Sequence, residues 1–363
     1  MKITLLTDSL GFGGAQRQIA NLAVELKVRG YEVEFIRYRN DDFYRPVLES
    51  ANIEPKLVPH KLAPIRMLKL RAAIKKSSPD VVISFLTVAN FYACVAAIGK
   101  HKWRTLISER LADEPSFQDK KQKVLRMVQS KYADAIVCNS KCAEDLWKKY
   151  FPKTENKLHT IYNIIEVPEL SATLSQDGKC RLVVAARYET VKNLNGMLQA
   201  VNLLSDDEKD KLEIHWYGKS NVVGAAESVL GRGEEFIKQN DLENCVFLHP
   251  ATEQIYPIMA EADFISLFSF MEGLPNAIIE GMTLKKPVVM SKVSDYAVLV
   301  DEGNGFLCDP HSPEDIANAL RQAINTTSEQ RAAMGQLSYD KIKKICSREA
   351  VVAQWERLLN YKN

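Results

Sequence analysis

Asp263-Phe-Ile-Ser-Leu-Phe-Ser-Phe-Met-Glu-Gly-Leu-Pro-Asn-Ala-Ile-Ile-Glu-Gly-Met-Thr-Leu-Lys-Lys-Pro-Val-Val-Met-Ser291 is the stretch from which the fold is read. Its apolar run from Phe264 to Phe268 predicts a buried strand. The Gly273-Leu274-Pro275 turn leads into a helix with Ile278, Ile279 and Met282 on its apolar face, and Pro287 to Met290 begins a second strand. Strand, turn, helix and strand in this order are the unit of a parallel sheet. Pro275 suits the first helical position, where its missing amide leaves no helical bond unmade. The amides that follow point out of the sheet's carboxyl edge, a setting for an anion. Glu272 precedes the helix and Glu280 lies about one and a half turns into it, so the two carboxylates face one crevice and reach different parts of one ligand. A dipole-stabilised charge and a solvated helical residue are the bland alternative for any isolated pair of glutamates.

The same alternation extends outward. Ile3 to Thr7 reads as a strand, Gly11-Phe-Gly13-Gly14 as a turn, and Ile19, Leu22, Ala23 and Leu26 as a helical face closed by Gly30, with the next strand at Val33 to Ile36. The glycines lack the full dinucleotide spacing, and no acidic residue stands where an adenosine ribose would need one. Strands are expected at Val81 to Phe85, Arg104 to Ser108 and Ala135 to Cys138, with helices over 89–98, 120–129 and 141–149. After a polar stretch, Arg181 to Ala186 begins a new strand, followed by Arg187, Lys192 and a helical pattern from Leu194 to Val201. Strands at Leu212 to Tyr217 and Cys245 to Leu248, then helices over 329–341 and 347–359, complete the reading. The predicted domains are residues 1–168, a linker at 169–178, a second domain at 179–343, and a last helical segment at 344–363.

Composition narrows the class. With 363 residues, 46% of them hydrophobic and 26% charged, the chain is globular, and its formal charge of +2 argues against nucleic acid as a partner. Seven scattered cysteines form no framework and suggest reduced core thiols in a cytosolic protein. Cys138 and Cys142 lack the further ligands that a zinc site needs, so no metal site is expected. No apolar run approaches a membrane span, and the strand-like start resembles no secretory leader.

Glu272-Gly-Leu-Pro-Asn, Glu280-Gly-Met and Lys286-Pro-Val-Val together resemble the donor-site signature of retaining, nucleotide-sugar-dependent glycosyltransferases of family four. That resemblance implies the glycosyltransferase B fold: two facing Rossmann-like domains, the first for the acceptor and the second for the donor, with the donor site in the cleft between them. It also implies that the last helix crosses back to the first domain. It places Glu272 by the sugar, Gly273, Leu274, Pro275 and Asn276 by the diphosphate, and Glu280 on the ribose hydroxyls. Arg187 and Lys192 match the family's cation pair, which neutralises the diphosphate as it leaves. Ala186 departs from the family's glycine before that arginine. Gly13 and Gly14 match an amino-terminal glycine loop across the cleft from the donor, and His249 lies among the strand ends that contain the base. Ser108-Glu109-Arg110 stands where many members carry histidine and is similar to a subset acting on amino-sugar or lipid-linked acceptors. Glu109 is thereby implied in the acceptor pocket, orienting the attacking hydroxyl. Asn139-Ser140 is similar to a family segment that ends a strand and caps a helix.

The implied reaction moves a sugar from a nucleotide-diphosphate donor, a UDP-sugar on family prevalence, to an acceptor hydroxyl with retention. It needs neither metal nor permanently bound cofactor, and it serves cell-surface polysaccharide or lipid-linked glycan synthesis. A sugar phosphorylase, a nucleotide-sugar epimerase and a non-catalytic glycan-binding protein are the alternatives. Two basic stretches bear on location. Lys61, Arg66, Lys69, Arg71, Lys75 and Lys76 flank Leu62, Ile65, Leu68 and Leu70, while Lys120, Lys121, Lys123 and Arg126 accompany Val124, Leu125 and Val128. The plainer expectation is that the apolar side chains face the core and the lysines face water. The alternative is peripheral contact with an anionic membrane on the cytoplasmic face.

Overall fold

The computed structural model describes residues 1–168, 170, 177–220 and 228–360. They fall into two units, Met1–Ile164 together with the segment from Arg348, and Ile165–Ser347. The expected linker at 169–178 lies largely outside the described residues, which omit 169 and 171–176. The unit boundaries fall at 164/165 and 347/348 rather than at 168/169 and 343/344.

Unit 1 runs β1 (Lys2–Thr7), α1 (Gly14–Val28), β2 (Glu32–Arg37), α2 (Arg45–Glu49), β3 (Pro55–Leu57), α3 (Ala63–Ser77), β4 (Val81–Phe85), α4 (Thr87–Ala96), β5 (Arg104–Glu109), α5 (Glu114–Gln118), α6 (Lys120–Tyr132), β6 (Ala135–Cys138), α7 (Lys141–Tyr150) and β7 (Leu158–Thr160). Its strands are parallel in the order β3-β2-β1-β4-β5-β6-β7. Because helices cover both faces, the central strands are apolar on both. Ile3, Leu5, Phe35, Ile83 and Phe85 meet Ile19, Leu22 and Leu26 of α1 on one side. Leu6, Ile36 and Val82 meet Leu70, Ile74 and Tyr92 of α3 and α4 on the other.

Unit 2 runs β8 (Cys180–Ala185), α8 (Leu194–Asn202), α9 (Asp206–Lys209), β9 (Leu212–Gly218), α10 (Val229–Gln239), β10 (Val246–Pro250), α11 (Ile255–Glu261), β11 (Phe264–Leu267), α12 (Asn276–Thr283), β12 (Val288–Ser291), α13 (Tyr296–Leu299), β13 (Gly305–Cys308), α14 (Pro313–Ile324) and α15 (Ser328–Cys346). This parallel sheet has the order β10-β9-β8-β11-β12-β13. In each unit the strand order reverses beside the first strand, between β1 and β4 and between β8 and β11, which opens a crevice at the carboxyl edge. The chain is thus two Rossmann-like domains. A capping box at Thr327 starts α15, which continues to Cys346, so the expected boundary at residue 344 falls inside a helix. The final helix, α16 (Arg348–Asn360), packs in unit 1: Trp355 stacks on Phe85 at 6.1 Å, and Arg104 Nη1 donates to the carbonyls of Leu358 and Leu359.

Three expectations about side chains sort differently. All seven cysteines are free thiols and six are buried; burial pushes those of Cys180 and Cys308 up to about 12, so they behave as small apolar residues. Ser140 caps α7 as expected, its Oγ accepting from the amide of Ala143. The basic stretches, however, turn only part of their apolar side chains inward: Leu70 is buried and Val128 packs on the core, while others face out. Leu70, Ala73 and Ile74 anchor α3, whereas Leu62 and Leu68 stand 61% and 64% exposed, and Ile65, Val124 and Met127 are exposed as well.

Candidate active site

The donor-type loops of unit 2 are drawn together by an asparagine. Asn193 adopts a left-handed conformation at φ 62°, its Oδ1 accepts from the Gly196 amide, and its Nδ2 donates to the carbonyls of Phe268 and Pro310. The turn after β8 is thereby tied to the exits of β11 and β13. Gly196 is required here, since a Cβ would sit 2.4 Å from Asn193 Oδ1. Gly218 is required on the neighbouring strand, since a Cβ there would lie 2.1 Å from the Ala186 backbone carbonyl.

This tie brings Lys192 against Glu272, eighty residues later. Nζ lies 2.6 Å from Oε1, and Ser269 Oγ donates to the same oxygen at 2.7 Å. Ser269 is fixed in turn by Ser291 Oγ, which donates to its carbonyl at 2.7 Å. The pair is partly open, with side chains 16% and 11% exposed. Helix α12 begins at Asn276, so Pro275 occupies the position before the first helical residue rather than the first itself. Its ring still leaves no amide unmet, and Pro275 itself supplies no side-chain cap. Ser294 Oγ donates to the Gly273 carbonyl and so holds the bend. Gly281 allows α12 to lie close on β11, since a Cβ there would come within 2.3 Å of Ile265. Glu280, the preceding residue, accepts from Tyr256 OH at 3.3 Å.

Two other expected ligands have their own partners. Arg187 is 61% exposed and pairs with Glu189 at 2.9 Å. His249 Nε2 lies 3.1 Å from His215 Nδ1, and its ring lies parallel to Tyr217 at 4.4 Å. Burial holds both imidazoles below the usual histidine range. Tyr188 OH donates to the backbone carbonyls of His249 and Trp216, joining β9 and β10 to the loop that carries Arg187.

In unit 1, Gly13 caps α1 in an extended conformation and Gly14 is its first residue; a Cβ on Gly13 would strike Gln16 Oε1. Glu109 does not open toward a crevice. Its Oε2 accepts from Arg126 Nε at 3.0 Å and its Oε1 from the Arg110 amide at 3.2 Å, with both side chains of the ion pair sealed from solvent. The counter-ion from α6 turns this carboxylate inward and corrects the acceptor-pocket expectation. The residues that sequence reasoning missed are Ser269, Ser294, Tyr256 and the tying role of Asn193. Only the adjacency of Asn193 to Lys192 and of Ser269 to Glu272 was there to signal them.

Residues 12–168 match the family model "Glycosyltransferase Family 4" and residues 169–341 the model "Glycosyl transferases group 1". Among curated proteins, the chain is 25% identical over 335 residues to the GalNAc-alpha-(1->4)-GalNAc-alpha-(1->3)-diNAcBac-PP-undecaprenol alpha-1,4-N-acetyl-D-galactosaminyltransferase of Campylobacter jejuni, covering 90% of this chain and 89% of that one. It is 22% identical over 406 residues to the alpha-1,3/1,6-mannosyltransferase of Schizosaccharomyces pombe, covering 98% and 80%. Among solved structures, Anabaena HepE in complex with UDP superposes with a TM-score of 0.83 at 17% identity, covering 99% of each chain. The lipopolysaccharide outer core galactosyltransferase WaaB gives 0.78 at 17% identity over 98% of each.

Proposed function

Because the chain belongs to the group 1, family 4 glycosyltransferases, we propose that it moves a sugar with retention from a uridine-diphosphate donor to the hydroxyl of a glycan or lipid-linked acceptor. The observation that carries this reading is the Lys192–Glu272 pair at the mouth of α12. A nucleotide sugar presents an anionic diphosphate beside a neutral, hydroxylated ring, so it matches each half of that pair. Lys192 exchanges its carboxylate for the phosphate, joined by Arg187 and the first amides of α12, and Glu272 turns to the sugar. Glu280 holds the ribose. As the glycosidic bond breaks, negative charge grows on the departing phosphate, where Lys192 and Arg187 stabilise it, and positive character grows at the anomeric carbon beside Glu272. The acceptor hydroxyl adds on the same face and its proton passes to the departing phosphate oxygen, which balances the transfer and needs no separate base.

The reaction is expected to turn over UDP-sugars in the presence of a chelator. A donor panel assayed with chelator and with added magnesium checks it. Turnover abolished by chelator and restored by metal overturns metal independence, and stronger turnover with a guanosine donor overturns the base.

The reading includes an acceptor at a membrane. Helices α3, α4 and α6 lie side by side, with α4 in the middle, and contain no Asp or Glu. Exposed Ile65 and Leu68 of α3, with Leu62 at its N-cap, and exposed Val124 and Met127 of α6 stand among Lys69, Lys120, Lys121 and Lys123, with Asp119 at the N-cap of α6. Apolar side chains for the acyl boundary among cations for anionic headgroups suit peripheral docking. Cosedimentation with anionic vesicles at low salt, weakening as salt rises, is the expected result. Absence of cosedimentation at low salt leaves a soluble acceptor.

A further inference from the structure

The exit of β5 holds a guanidinium with no counter-ion. Arg110 follows Glu109, whose carboxylate is engaged by Arg126, and among the described residues no carboxylate lies within ion-pair reach of the Arg110 side chain. Its contacts are neutral: the guanidinium lies over the Phe85 ring at 4.7 Å, Nη1 donates to Ser108 Oγ at a long 3.4 Å, and Nη2 donates to Asn163 Oδ1. Nε is buried with no acceptor. Only two of the five guanidinium N–H groups are therefore met. Arg126, by contrast, places its Nε on Glu109 and its terminal nitrogens on the carbonyl and hydroxyl of Ser116. Desolvation lowers the Arg110 pKa to about 9, and the weaker attraction of neighbouring groups does not restore it.

Two neighbouring strand exits carry complementary defects. Asn139 leaves β6 next to Glu109, its amide donating to the Glu109 carbonyl at 3.2 Å. It is only 4% exposed, and its Oδ1 has no hydrogen-bond partner. Leu86, leaving β4 beside Phe85, stands at φ 79° and ψ 141°, a conformation that costs a non-glycine residue about 1–3 kcal/mol. An unmet donor, an unmet acceptor and a strained backbone thus meet at three adjacent exits, β4, β5 and β6.

We propose that Arg110 and Asn139 form the receptor for a phosphate ester on the acceptor, the guanidinium taking the oxyanion and Asn139 Oδ1 a neighbouring hydroxyl. The inference rests on the transferase reading only in assigning this ligand to the acceptor. Glu109 then serves Arg110 by holding its backbone amide. An incoming phosphate supplies the charge and the acceptors that the protein withholds, which is why so little of the guanidinium is satisfied by its own chain.

The test uses the full chain with its donor site filled by saturating UDP, so that a second phosphate must bind elsewhere. Glucose 1-phosphate is titrated calorimetrically into the wild type, Arg110→Met, Arg110→Lys and Asn139→Val. Arg110→Met is expected to weaken binding about tenfold or more, with Arg110→Lys between, as befits a charged hydrogen bond. Asn139→Val is expected to weaken glucose 1-phosphate but spare inorganic phosphate. Thermal melts accompany the titrations: Arg110→Met is expected to keep or raise Tm, since it removes a cation that nothing neutralises. A dodecyl diphosphate in micelles, run in parallel, separates the two sources of this chemistry. Tighter binding than glucose 1-phosphate identifies a lipid-linked phosphate, and weaker binding a soluble one. No phosphate binding in the wild type, equal affinity in the wild type and Arg110→Met, or a lowered Tm with unchanged affinity overturns the proposal. Failure of the transferase reading shows separately, as absence of transfer from every nucleotide sugar while phosphate binding persists.

Discussion

Unit 1 and unit 2 each hold a glutamate that sequence reasoning placed at the chemistry, each paired with a cation from elsewhere in the chain, and the two pairs differ in what surrounds them. Glu109 and Arg126 are sealed, at 1% and 0% exposed, with Arg126 lying over Phe117 at 3.9 Å and bonded to Ser116. Glu272 and Lys192 are partly open, and Glu272 takes a second bond only from a hydroxyl. A sealed pair has exchanged all its water for protein, so removing one member strands the other in a medium that solvates charge poorly. An open pair keeps access to solvent, and a ligand can take the place of either member. Burial and the number of fixed partners, rather than the presence of a carboxylate at a strand exit, set the two pairs apart.

The largest expected effect lies on the sealed side. Arg126→Met should cost about 3–5 kcal/mol of stability, read as a lower urea midpoint, and Glu109→Gln combined with it should restore most of the loss. An Arg126→Met protein as stable as the wild type but inactive would mean that Glu109 works on substrate, and the contrast would fail.

On the open side the loss should appear in rate. Lys192→Ala should leave the urea midpoint close to wild type while transfer falls on the order of 10²- to 10³-fold, through kcat. Glu272→Gln should likewise lower kcat more than nucleotide affinity. Glu280→Gln is expected to do the reverse, weakening UDP about tenfold by calorimetry because it loses a charged acceptor. A proportional loss of UDP affinity in Glu272→Gln, with Glu280→Gln unaffected, would break the assignment along α12.

A third glutamate calibrates the series. Burial raises the pKa of Glu144, but hydrogen bonds from Lys141, Lys148 and Thr160 outweigh it and hold the carboxyl at about 2, below the 4.5 of an unperturbed glutamate. A folded-state pKa below the unfolded one contributes stability that is full above about 4.5 and is lost as pH falls from there toward about 2. Urea midpoints should therefore fall between about pH 5 and about pH 3, and less steeply in Glu144→Gln. Equal slopes in the two proteins would show that this half-open network adds nothing to the folded state.

The parallel architecture was legible because strands covered on both faces need apolar runs, and Phe264 to Phe268, Val81 to Phe85 and Arg181 to Ala186 supply them. Strands β3, β7 and β13 were missed. Each has three or four residues at a sheet edge, β3 includes Pro55, β7 is half-buried throughout and β13 begins at Gly305, so none shows the run. The periodicity of α3 identified a stripe but not its orientation: Leu70, Ala73 and Ile74 form the buried anchor, and the leucines nearer the amino end belong to the opposite face. At the site, motif residues Lys192 and Glu272 come together in the fold, while Ser269, Ser294 and Tyr256 were hidden because a hydroxyl's partner depends on tertiary approach. Glu109 was correctly placed at a strand exit and wrongly aimed, since the arginine that turns it inward arrives seventeen residues later on α6.

The return of α16 to unit 1 has a temporal side. Val351, Val352, Trp355, Leu358 and Leu359 complete the same core as Ile3, Leu5 and Phe85. During synthesis, all of residues 165–347 emerge between the two parts of that core. Unit 2 has its whole sequence available as soon as Ser347 is made, whereas unit 1 must wait with one apolar flank uncovered, about 1.5–3 kcal/mol short for each large side chain still missing. The domain that leaves the ribosome first is the second to be finished, and its exposed flank is the place where a holding chaperone would act.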